Sequence, residues 1–97
     1  MKIRLKPGAA ADILDIIRWY DDQGPGLSAA FRAELNTVLR RVSSMPSSCP
    51  VVRGEVRRAL LRRFPYAIFY VASEETIELL AVFHGSRESR NWIRRIP

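Results

Sequence analysis

This 97-residue chain holds a single cysteine, a single histidine and only two lysines. Cys49 has no partner in the chain, so an internal disulfide is excluded. One cysteine and one histidine do not make a zinc-type cluster, and neither a metal site nor a cofactor site is read from the pattern. No apolar run reaches the roughly 18 residues that a membrane span requires. The opening residues, MKIRLKPGAA, lack the apolar stretch of a secretory signal. With the unpaired cysteine, these features predict a cytoplasmic protein with no membrane partner. There is no internal repeat, low-complexity tract or dividing linker, so residues 1–97 are read as one domain.

What the chain does have is apolar content, 47% by residue, enough for one modest core. It also has a net charge of +6, unevenly built. Residues 1–50 carry seven basic and five acidic side chains, and residues 51–97 carry nine and five. All nine later cations are arginine, whose planar fork matches carboxylate or phosphate and stacks on rings. Such clustering points to a nucleic acid or an acidic protein as partner.

The segment Lys2-Ile3-Arg4-Leu5-Lys6 alternates like a half-buried strand, and Pro7-Gly8 ends it. Ile13, Ile16, Ile17 and Tyr20 share one helical face, predicting a helix from Ala9 to about Asp22. Gln23-Gly24-Pro25-Gly26 breaks it. Leu27, Phe31, Leu35, Val38, Val42 and Met45 then mark a second helix over 27–44, so the pair forms an αα-hairpin. MPSSCP, residues 45–50, is a loop because its prolines cannot continue a helix. Strands are predicted at 55–63, edge-like and arginine-rich, and at 66–72 and 77–83, apolar on both faces. Ser73-Glu74-Glu75-Thr76 joins the last two as a hairpin. Residues 88–96 form a short helix or an ordered tail. The order β-α-α-β-β-β predicts an α+β domain with the helical hairpin packed on a small antiparallel sheet.

The run from Val56 to Trp92, VRRALLRRFPYAIFYVASEETIELLAVFHGSRESRNW, places two arginine pairs before Phe64-Pro65-Tyr66. Two apolar strands follow, and the second closes on Phe83-His84-Gly85-Ser86-Arg87. With the strand and two helices before it, this pattern resembles the RelE/ParE superfamily of toxins from type II toxin–antitoxin systems. The resemblance covers nearly the whole chain and implies the same fold. It also implies a cognate antitoxin, whose acidic and apolar segment wraps the helical hairpin and sheet edge in a hetero-oligomer.

Two branches imply different targets. In the RelE branch, mRNA is cut on the ribosome by lysines and arginines with a tyrosine near the C-terminus. Here Tyr20, Tyr66 and Tyr70 all precede the end of the last strand, and Lys2 and Lys6 both lie in the first. The likeness is therefore nearer to the ParE branch of plasmid-stabilisation type, which binds DNA gyrase and needs no catalytic set. The alternatives are an mRNA endoribonuclease acting with the ribosome, and a non-toxic binding module of the same fold.

Four arginines, Arg57, Arg58, Arg62 and Arg63, form the first candidate surface for target or antitoxin. In an extended strand Arg58 and Arg62 share a face with Val56 and Leu60, and Arg57 and Arg63 share the other with Ala59 and Leu61. The bland reading is an edge strand guarded by charge. Trp92, Arg94 and Arg95 form the second candidate surface, because an aromatic among arginines stacks on a base or anchors a protein interface. Equally, the tail can fold back over the sheet. An RNase reading would rest on His84 and Arg87 with Arg57 and Arg62, His84 serving as general acid or base. The competing reading makes His84 a structural residue at a strand end. Trp19 is expected at the core edge, and nothing around Cys49 assigns it chemistry.

Overall fold

The computed structural model describes residues 1–85 and 92–96, with backbone alone at 92 and 93. Its elements are β1 (Lys2–Leu5), α1 (Pro7–Gln23), α2 (Leu27–Ser44), β2 (Val51–Arg53), β3 (Val56–Leu60), β4 (Tyr66–Ala72), β5 (Thr76–His84) and α3 (Trp92–Arg95). Pro7 opens α1, where its missing N–H costs nothing. Gly26 precedes α2 at φ +82°, a left-handed conformation that favours glycine. The Ser28 hydroxyl donates to the Asp21 carboxylate and ties the two helices together.

The strands form one sheet in the order β1-β5-β4-β3-β2. The α+β architecture is as read from the sequence, but the sheet is mixed rather than purely antiparallel. β1 runs parallel to β5, with Lys2 opposite Thr76 and Leu5 opposite Leu79. No turn joins these strands, so no hairpin dictates their direction. The observed register sets Ile3 and Leu5 beside the buried Ile77 and Leu79, which extends their apolar row.

A second difference lies at the other edge. β2 pairs with β3 across a turn at Gly54, whose φ of +56° again suits glycine. The arginine strand is therefore an inner strand, and it ends at Leu60 rather than residue 63.

Each face of the sheet buries its own cluster. On one face Ile16 and Tyr20 of α1 and Phe31, Leu35, Val38 and Val42 of α2 pack against Ala59, Ile68, Tyr70, Ile77, Leu79 and Val82. On the other, Val56, Ala67, Phe69, Ala81 and Phe83 pack with Ile96, which follows α3. β4 supplies alternate residues to the two layers, as a doubly covered strand must. Tyr70 and Phe69 face Leu79 and Ala81, so Leu80 is an extra residue, a bulge on β5. Among the described residues, no helix is long and apolar enough to cross a membrane.

Candidate functional site

The four arginines around β3 divide into two kinds. Arg57 shares the helix-facing side with Ala59, and its guanidinium Nη1 donates to the Cys49 carbonyl at 2.6 Å and the Ser47 carbonyl at 3.4 Å. It braces the loop after α2. Beside it the Tyr70 hydroxyl donates to the Pro46 carbonyl at 2.8 Å. Burial, reinforced by Cys49, pushes that phenol far above its usual range, so it stays protonated.

Arg63 is held mainly through its backbone, while most of its side chain stays exposed. Its backbone N–H donates to both carboxylate oxygens of Glu34 at 3.0 and 3.2 Å, and its Nε donates at 3.3 Å. The Glu34 side chain keeps only 9% of its surface exposed. Burial opposes its ionisation, but hydrogen bonds from Arg63 and from the backbone of Phe64 and Arg62 outweigh that and hold its carboxyl below the ordinary range.

Arg58 and Arg62 are different. Both are exposed, and neither side chain has a hydrogen bond or ion pair among the described residues. Arg58 lies with Leu60 on the outer face, as strand alternation predicts. Arg62 lies beyond the end of β3, so that alternation does not govern it.

The C-terminal arginines divide in the same way. Arg95 makes a two-pronged contact with Asp12 of α1, each prong 3.0 Å, and its guanidinium lies 4.9 Å from the Phe83 ring centre. Asp12 also accepts the Val82 N–H at 3.0 Å, and Arg95 donates to the Leu80 carbonyl at 3.4 Å. The reason is local. β1 ends at Leu5, so β5 beyond Leu79 has an uncovered edge, and this pair satisfies its peptide groups. A side chain at Gly8 would crowd the guanidinium, its Cβ standing 2.5 Å from Nη2. Arg94 is exposed. Arg87 and the Trp92 side chain lie outside the described residues.

His84 ends β5 opposite Tyr66, and the two rings meet edge-on at 5.5 Å. Gly85 then donates to the Pro65 carbonyl at 2.7 Å, closing the strand end. Tyr66 in turn packs edge-on against Phe31 and Tyr20, so the histidine terminates an aromatic cluster spanning both helices. Arg57 pairs with Tyr70, four residues along β4 from Tyr66, or roughly 13 Å at strand spacing. Its guanidinium is spent on loop carbonyls, so the structure does not bring Arg57 to His84. Among the described residues no group of three His, Cys, Asp or Glu side chains is placed to hold a metal ion.

A further surface was not marked by the sequence pattern. A groove of about 740 Å³ runs between β1 and α2, lined by Ile3, Leu5, Ala33, Asn36, Thr37, Leu39 and Arg40. Lys2 and Lys6 donate their N–H groups to the carbonyls of Glu75, just before β5, and Leu79 in β5, so the peptide groups of Ile3 and Leu5 face the open edge.

Residues 3–89 match the family described as ParE toxin of the type II toxin–antitoxin system, parDE. The chain belongs to the ParE toxin family. Relatives include Toxin ParE2 of Mycobacterium tuberculosis strains CDC 1551 and H37Rv. Each is 26% identical over 85 residues, covering 87% of this chain and 81% of the relative. The fold matches a chain of the chromosomal ParDE TA system from P. aeruginosa with a TM-score of 0.61 and 21% identity. That match covers 87% of this chain and 95% of the other.

Within this ParE fold, the residues that hold Arg95 and Arg63 are Asp12 and Glu34, which no sequence motif marks. Each resembles an ordinary solvated helix acid. Their partners lie 83 and 29 residues away, and only the folded chain reveals the pairing.

Proposed function

We propose that this protein is the toxin of a type II toxin–antitoxin pair, acting in the cytoplasm by binding DNA gyrase and neutralised by a cognate antitoxin. The observation that carries this reading is the family match over residues 3–89. The commitment of Arg57 to loop carbonyls, about four strand residues from His84, supports it over a nuclease that needs Arg57 beside that histidine. Binding needs only a surface, and Arg58, Arg62 and Arg94 provide exposed cations for an acidic patch on a protein target.

The antitoxin is assigned to the β1–α2 groove. Ile3 and Leu5 turn toward α2, while Lys2 and Arg4 lie on the opposite side of the strand. An extended segment alternating apolar and acidic residues would bury its apolar side in the groove and pair its acids with Lys2 and Arg4 on the other side of the strand. Leu5 is 48% exposed in the free chain, so its replacement by aspartate spares the core. We expect Leu5→Asp to weaken antitoxin capture at least roughly ten-fold at unchanged helix content.

The target is tested with purified protein at micromolar concentration on gyrase. Inhibited supercoiling or trapped gyrase–DNA cleavage complexes are expected. Unchanged supercoiling and cleavage would defeat the gyrase reading.

A further inference from the structure

We propose that the notch between the middle of α2 and the β3–β4 connection receives a single carboxylate side chain from an acidic protein partner. The notch has a volume of about 310 Å³. Its helix wall is Ala33, Thr37, Val38 and Arg41, and Arg62 and Arg63 close the other side over Glu34. Ala33, Thr37 and Arg41 are four residues apart, so they form one strip along α2.

The charges around it are unequal. Glu34 is held by Arg63, which leaves Arg41 and Arg62 exposed on opposite walls with no side-chain partner among the described residues. Two like charges across a small cavity repel, and an anion between them turns repulsion into charge-assisted hydrogen bonds.

The chemistry of the walls selects the anion. Ala33, Thr37 and Val38 offer methyl groups that suit the methylene stem of a glutamate or aspartate. The connection already binds one carboxylate, Glu34, through the backbone of Arg62, Arg63 and Phe64. Phosphate fits less well. Glu34 would repel a more highly charged group, and nucleic-acid backbones are followed by extended cationic tracks rather than by a notch enclosing a carboxylate. The notch lies on the other side of the α2 ridge from the β1 groove, sharing Ala33 and Thr37 with it. Arg62 also belongs to the cationic surface offered to the toxin's target, so the notch deepens that reading, but carboxylate binding is read with a peptide and does not depend on growth arrest.

The test follows the arginine side-chain NMR signals of the full chain during titration. The probes are a short synthetic helical peptide rich in glutamate and leucine, its glutamine counterpart, inorganic phosphate and a single-stranded oligonucleotide. The glutamate peptide is expected to shift the Arg41 and Arg62 signals saturably, and the glutamine peptide is not. Arg41→Gln and Arg62→Gln should each weaken binding about ten-fold, the effect of one lost charge-assisted bond. The Arg95 signal, fixed by Asp12 away from the notch, reports an intact fold in both variants. Absence of peptide binding, binding indifferent to both substitutions, or equal shifts from phosphate or oligonucleotide would overturn the proposal.

Discussion

At the residue scale, chemistry separates arginines that hold the fold from arginines that remain available. Arg57, Arg63 and Arg95 each donate to a carbonyl or carboxylate of their own chain, and among the described residues Arg58, Arg62 and Arg94 do not. Removing an anchor should therefore cost stability, and removing an available cation should cost binding alone. Glu34→Gln illustrates the first case. Hydrogen bonds to a charged group contribute roughly 1.5–3 kcal/mol, so a loss in that range is expected in urea unfolding at neutral pH. The sign of its pH dependence follows from the lowered carboxyl. A carboxylate more acidic when folded stabilises fully above the ordinary glutamate value of 4.5, and loses that effect as pH falls through its folded value. Glu34→Gln should therefore lose stability less steeply in that acid range than the parent protein. For Tyr70→Phe, which releases the Pro46 carbonyl, the expected cost is smaller, roughly 0.5–1.5 kcal/mol.

At the element scale, β5 is the hinge of the architecture because it pairs with β4 along its length and with β1 only as far as Leu79. The rest of its open edge is satisfied by Asp12 and Arg95, which also fasten α3 beside Phe83. Asp12→Ala should raise amide exchange at Val82 before that of the β4–β5 ladder, and lower stability by roughly 2 kcal/mol. Equal exchange at Val82 in both proteins would show that the clamp does not protect the edge. These elements were legible to different degrees for physical reasons. The helices announced themselves through 3.6-residue periodicity at Ile13, Ile16, Tyr20, Phe31, Leu35 and Val38, since each must bury one face. β4 and β5 were legible because double coverage makes them continuously apolar. The short β2 carries only Val51 and Val52 before its charged turn, and β1 pairs with a strand more than seventy residues on, beyond any local pattern.

At the scale of the whole molecule, two layers enclose the sheet and leave α2 with a groove on each side, one apolar beside β1 and one cationic beside Arg62. The arginine-rich half of the sequence had pointed to a charged surface. The structure disperses that charge, using part of it as internal bracing, and the groove beside β1 emerges only when Ile3 and Leu5 are set against α2. Phe31, fully buried between helices and sheet, holds this arrangement, and Phe31→Ala should cost about 3–5 kcal/mol and much of the fold's margin. The functional account turns on what the folded protein does to a cell. The deciding measurement is expression from a tightly controlled promoter in bacteria, recording growth, DNA-damage response and message integrity together. A gyrase-binding toxin of the ParE family predicts growth arrest with a damage response and intact message. Unimpaired growth, or arrest with cleaved message and no damage response, would contradict it.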